Sequence, residues 1–317
     1  MMHKAVVRLA PIWALLVITL LASAALWGPG IVNTRGGGDS PFLLQRTHQL
    51  TANLRDGVFP VRWMPDAAYG LGYPFFNHYS AFPFYLAALF NLGGIDLLTA
   101  LKLTQTLGFI VAGLAMYAWV KHVWRNRAMA WLAASAYTVV PFHLVNVYVR
   151  GDSLSEFYAF VWYPLILWAV VSVVKQASEN RLQSAAGYLR IAALALCYAG
   201  LILTHNLSAA IFSPFVLLYL VLVVWPIRGK RWRVLGMVLG ALVLGFALAA
   251  WVWMPALLET EYVQPETLTS GYFHYSNQFR SANLIQTSVL FDYDVAPTIG
   301  GPSPFSMGGP QAVLALV

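Results

Sequence analysis

Charge is scarce in this chain: Asp, Glu, Lys and Arg make up only 10% of its 317 residues, against about a quarter in soluble domains. With 59% of residues apolar, so few ionised groups cannot cover the surface of a water-soluble fold, and that class is excluded. Cysteine is nearly absent. The single Cys197 lies inside an apolar run, which excludes an intrachain disulfide. Zinc-ligand spacing, a P-loop, a dinucleotide fingerprint and a nucleophile elbow are all missing, and with them the enzyme classes they would announce. Acidic residues number 12 against 19 basic ones, a formal charge of +7. The Lys and Arg stand in short loops beside apolar runs, where membrane topology places them, so no nucleic-acid partner is expected.

What the chain does have is long apolar runs. Several reach the roughly 20 residues that cross a hydrocarbon core of about 30 Å, where a backbone satisfies itself only as a helix. An all-α polytopic transmembrane helical bundle follows, read as one domain over 1–317. Expected crossings are 11–32, 98–120, 128–148, 157–174, 189–204, 206–225 and 234–255. Lys4 and Arg8 before an apolar stretch ending in Ala22-Ser23-Ala24 also fit a cleavable signal peptide, but hydrophobicity continues through Leu26, Trp27 and Ile31, so a retained first helix is expected. The run from Ile191 to Trp225 would extend about 52 Å as one helix at ~1.5 Å per residue. It must break, and Thr204-His205-Asn206 is the natural place. Gln311–Val317 reads as the start of another span, so the chain is expected to be part of a longer one.

The segment 81–95 is short, carries Pro83 and ends at Asn91-Leu92-Gly93-Gly94. Counting basic residues decides whether it crosses. If it does not, Lys4, Arg8, Lys121, Arg125, Arg127, Lys175, Arg181, Arg190, Arg228, Lys230, Arg231 and Arg233 share the cytoplasmic side, twelve of the 19 basic residues. If it crosses, that side keeps only Lys4, Arg8, Lys102, Arg150 and Arg280. The first topology satisfies the positive-inside rule. It makes a multi-pass protein of the bacterial cytoplasmic membrane with a cytoplasmic N-terminus, an external loop 33–97 lying on the membrane through pieces such as 41–54 and 82–90, and an external segment 256–310. Every Asp and Glu except Glu179 is then external.

The external face collects Asp39, Asp152, Glu156, Arg62, Arg150, His78, His205 and Asn206. Carboxylates beside arginines and histidines at a lipid boundary suit an anionic, lipid-linked substrate: arginine forks onto phosphate, and a carboxylate takes a proton or binds a metal. Plainer readings stand beside these. Asp39-Ser40-Pro41 is a good helix start, with Pro at the first position. Ser153 and Glu156 have capping-box spacing, and His205-Asn206 can satisfy backbone groups at a helix break.

The motifs Gly38-Asp39-Ser40-Pro41, Gly72-Tyr73-Pro74-Phe75-Phe76, Arg150-Gly151-Asp152 with Glu156, Trp162-Tyr163-Pro164-Leu165, Thr204-His205-Asn206 and Pro255-Ala256-Leu257-Leu258-Glu259 resemble, in order and placement, a bacterial membrane family labelled 6-pyruvoyl-tetrahydropterin synthase-related. One helix followed by a long external loop with an early Asp is also similar to the GT-C glycosyltransferase superfamily. That resemblance implies hexosyl transfer from a polyprenyl-phosphate-linked sugar at the outer face of the bilayer. It implies Asp39 as base or as ligand of a divalent metal such as Mg or Mn, and Asp152 or Glu156 as the second acid. Arg62, His78, Arg150, His205 and Asn206 would bind substrate. Ser40 departs from the pattern by standing where a second acidic residue is usual. A lipid or polysaccharide flippase and a noncatalytic protein of the same fold are the alternatives.

Overall fold

The computed structural model describes residues 2–32, 40–148, 150–151, 153–179, 181, 184–270, 274, 285–286 and 307–316. Among them, seven helical stretches are long and apolar enough to cross a membrane. α1 (Met2–Ser23) runs on into a 3-10 turn, Ala24–Trp27. Four shorter helices follow: α2 (Ser40–Arg55), α3 (Ala67–Gly70), α4 (Phe75–His78) and α5 (Phe82–Leu92). The rest are α6 (Leu97–Trp124), α7 (Arg127–Thr138), α8 (Pro141–Tyr148), α9 (Leu154–Ser178), α10 (Ala185–Thr204), α11 (Asn206–Val224), α12 (Arg231–Leu248), α13 (Ala250–Leu258) and α14 (Gly309–Leu316).

Local chemistry sets the helix ends. The Asp96 carboxylate accepts from the Thr99 N–H at 3.0 Å and starts α6. Arg125, left-handed at φ 55°, stops it, and the Asn126 side chain caps α7 by accepting from the N–H groups of Ala128 and Met129. Pro141 has no N–H to continue a helix, so the third crossing breaks into α7 and α8. The long apolar run breaks at His205, whose backbone is extended (φ −157°, ψ 103°) between α10 and α11. The seventh crossing stops at Leu248, and α13 restarts one residue later at Ala250.

α6 and α9 form the middle of the bundle. α1, α2, α5 and α7 pack on α6, while α10, α11 and α12 gather on α9. Small residues allow the close contacts. At Gly200 on α10 a Cβ would lie 2.6 Å from the Trp162 ring of α9, so only glycine admits that indole.

At about 16 Å, α5 is too short to span a bilayer, and both it and α2 press one face onto protein. Leu43, Thr47 and Leu50 of α2 are buried, as are Phe84, Ala87 and Ala88 of α5. Their apolar stripes, spaced for one helix face, pack on each other and on α6, sharing a core with Phe109, Phe157 and Tyr158. The segment 40–92 is therefore a layer of the bundle.

Candidate functional site

A buried polar layer ties three elements together at the end of the bundle where α9 begins and α10 ends. Ser155, in the first turn of α9, donates to the Ser80 carbonyl at 3.1 Å, and Ser80 Oγ donates to the Ile202 carbonyl at 2.9 Å. Trp162 Nε1 donates to Thr204 Oγ1 at 2.7 Å. The segment between α4 and α5 is thereby pinned to both α9 and α10, next to the break at His205.

Three of the expected site residues meet on this layer. Gly151, at φ 74°, turns the chain from α8 toward α9. Beyond the turn, the Arg150 guanidinium pairs with the Glu156 carboxylate and also donates to Asn146 Oδ1 at 3.1 Å. The capping box does not form: Ser153 makes no side-chain cap bond, because the guanidinium offers Glu156 a charge-assisted partner in place of a neutral N–H. His205 Nδ1 lies 2.7 Å from Ser208 Oγ and accepts from the Ser208 N–H at 3.3 Å, capping α11. In the neutral ring this puts the proton on Nε2. Burial lowers the pKa of His205; the nearby Glu156 charge raises it and the Arg150 charge lowers it. Carboxylate, guanidinium and imidazole thus share one electrostatic environment at the end of an apolar bundle. A guanidinium and an Nε2–H can hold an anionic oxygen there, and the carboxylate can take a proton.

Arg62 belongs to a second set. Its guanidinium donates to Asn77 Oδ1 at 2.9 Å and to the Trp251 carbonyl at 2.8 Å, and Asn77 Nδ2 donates to the Glu259 carboxylate. Arg46 covers the adjacent Phe75 ring, 4.5 Å from its centroid. His78 ends α4 half-buried, and Asn206 is exposed, its Oδ1 accepting from the Leu207 N–H at 2.9 Å. Neither is drawn into the Arg150, Glu156 and His205 group by any hydrogen bond among the described residues.

Asp39 and Asp152 lie outside the described residues. Their chain neighbours Ser40 and Gly151 line one small cavity together with Lys102, Gln105, Leu101 and Val147. Among the described residues no three His, Cys, Asp or Glu side chains gather as a metal site. Glu156 faces a guanidinium, and Asp39, the expected ligand of Mg or Mn, lies outside the described residues.

Several participants escape a reading of the sequence. Asn77 and Glu259 stand 182 residues apart, and nothing local announces their pairing. Asn146 and Ser208 look like ordinary helix polar residues until Arg150 and His205 reach them. Lys102 did carry a signal, as a lone cation near the start of an apolar span.

The profile of a family described as "6-pyruvoyl-tetrahydropterin synthase related domain; membrane protein" matches residues 76–280, a stretch that begins within α4 and holds α5 to α13. The chain is also 23% identical over 270 residues to an uncharacterized protein of Lactococcus lactis subsp. cremoris, covering 83% of this chain and 40% of that one. It therefore spans about two-fifths of the length of that relative. No solved structure matches it.

Proposed function

Since the chain belongs to the 6-pyruvoyl-tetrahydropterin synthase related family of membrane proteins, its chemistry is to be sought at a membrane boundary, and we propose that it transfers a sugar from a polyprenyl-phosphate carrier to an acceptor hydroxyl. One observation carries this reading: Arg150, Glu156 and the half-buried His205 are held together where α9 begins and α10 ends. An amphiphilic donor would keep its prenyl tail among apolar helices and present phosphate and sugar at that level.

In the proposed step the acceptor hydroxyl attacks the anomeric carbon. The bond from that carbon to the phosphate oxygen breaks, and the bonding pair leaves on the phosphate. The acceptor proton passes to a carboxylate, for which Asp39, Asp152 and Glu156 are the candidates. The leaving group is already a phosphate, so it needs charge neutralisation more than an acid. The Arg150 guanidinium and His205 Nε2–H are suited to supply it. Basic loops on the opposite end of the bundle, around Arg125 and Arg228, support placing the site on the outer face of a bacterial cytoplasmic membrane.

The test is transfer from a polyprenyl-phosphate sugar in isolated membranes, normalised to folded protein. Asp39→Asn, Asp152→Asn and Glu156→Gln keep size while removing charge, and transfer should collapse in at least one of them. Asparagine caps a helix about as well as aspartate, so near-normal transfer by all three variants would leave these residues as structural and refute the reaction.

A further inference from the structure

The two arginines read as phosphate ligands also hold protein partners, so each brings only part of its charge to a ligand. Arg62 donates to Asn77 and to the Trp251 carbonyl, and Arg150 is engaged by Glu156 and Asn146. Lys102 is different. It is the sixth residue of α6, about 8 Å from the helix start at ~1.5 Å per residue, and only 8% exposed. Its ammonium donates to the Gly28 carbonyl at 2.7 Å, and no carboxylate pairs with it among the described residues. An ammonium has three donors and a full charge, and one carbonyl does not neutralise it.

Lining the same cavity is Ser40, 1% exposed, whose Oγ makes no hydrogen bond among the described residues. It begins α2, a helix of 16 residues, where unsatisfied N–H groups and the macrodipole favour negative charge. Gln105 adds an amide, and Leu43, Leu101 and Val147 supply apolar walls. The cavity is about 10 Å³, room for about one water-sized atom. A whole phosphate does not fit, but one of its oxygens does.

We propose that Lys102 and Ser40 form a receptor for a single anionic oxygen of a phosphate monoester or diester, the rest of the phosphate and any lipid tail staying outside the cavity. The choice of a lipid phosphate rests on the transfer reading above. The shared chemistry, a phosphate oxygen, would equally come from a free phosphate ion. Among the described residues no carboxylate balances the buried Lys102 ammonium, so an anionic oxygen would be favoured beside it, and the Ser40 hydroxyl would supply the second hydrogen bond.

The experiment is equilibrium binding to the purified chain in a nonionic detergent, with farnesyl phosphate, farnesol and inorganic phosphate as probes. Farnesyl phosphate should bind, and farnesol and inorganic phosphate should bind far more weakly. Lys102→Gln should weaken farnesyl phosphate about tenfold or more, as loss of a charge-assisted hydrogen bond does. Ser40→Ala should weaken it about two- to tenfold with no loss of thermal stability, since no described residue bonds that hydroxyl. If Lys102→Gln does not fold, Ser40→Ala decides alone. Wild-type affinity in the variants, or equal binding of farnesol, overturns the site. Inorganic phosphate binding as tightly as the lipid overturns the lipid assignment. Measured separately, transfer distinguishes the two proposals. Phosphate binding that depends on Lys102 in a wild-type chain without transfer keeps this site and removes the transferase. Full transfer by Lys102→Gln does the reverse.

Discussion

Adding one methyl group to Gly200 is a severe test of how α9 and α10 meet. A Cβ there would lie 2.6 Å from Cη2 and 2.7 Å from Cζ2 of Trp162, far inside van der Waals contact. The indole cannot simply turn away, because its Nε1 is bonded to Thr204 at 2.7 Å. Overpacking of this kind costs about 1–3 kcal/mol, and losing the Trp162 to Thr204 bond costs about 1 more. Against this, alanine in place of a helical glycine returns about 1 kcal/mol. The net loss for Gly200→Ala is about 1–3 kcal/mol. At roughly 2–4 °C per kcal/mol for a chain of this size, the thermal midpoint should fall by about 2–12 °C. Gly236 on α12 is the control, since nothing lies within 4 Å of its Cβ position. Gly236→Ala should hold or raise the midpoint. Thiol-independent thermal unfolding in detergent, followed by tryptophan emission or loss of the monodisperse peak, reads both. A Gly200→Ala protein as stable as Gly236→Ala would refute the contact. A double variant that also shrinks Trp162 to Leu should recover part of the packing loss, because the two changes act on one contact.

Acid should loosen the helix break. The pKa of His205 is depressed by burial, so the unfolded chain binds the proton more readily. Stability is then fully present above the unfolded value of about 6.5 and is lost as pH falls through the lower folded value. Protonation also removes the Nδ1 lone pair that caps α11. The thermal midpoint should drop more between pH 7.5 and 5.5 in the wild type than in His205→Gln, and equal drops would count against this assignment. For orientation, an impermeant thiol reagent on intact cells should label Tyr69→Cys and spare Arg228→Cys in a Cys197→Ala background; both positions are exposed. Labelling at 228 from outside would reverse the proposed topology.

Much of the bundle is legible because a bilayer asks so little of a sequence: length, low charge and a helical backbone. The polar triplet at His205 stands out for the same reason, since three polar residues inside an apolar run mark where a helix gives way. Pairing is harder to read. Glu156 has a legible local partner in Ser153, yet it goes to Arg150, because two charges outbid a cap and no periodicity expresses that choice. The apolar stripes of α2 and α5 look the same whether they will face lipid or protein. Only the presence of α6, with Phe109 and Ala112 available beside them, settles it. Lys102 and Ser40 are brought to one cavity by α6 and α2 from opposite ends of a long loop, and although a lysine near the start of an apolar span stands out, nothing in the sequence pairs it with that serine.

The bonds from Arg62 to the Trp251 carbonyl and from Asn77 to Glu259 bridge 189 and 182 residues. A ribosome adding about 5–20 residues per second takes roughly 10 to 40 s to cover that separation. During that time the earlier crossings are already in the bilayer while the guanidinium of Arg62 and the amide of Asn77 await their final partners. The site end of the molecule is thus closed last, by the chain that leaves the seventh crossing, and a nascent protein halted before Trp251 would carry α1 to α12 with that end still open.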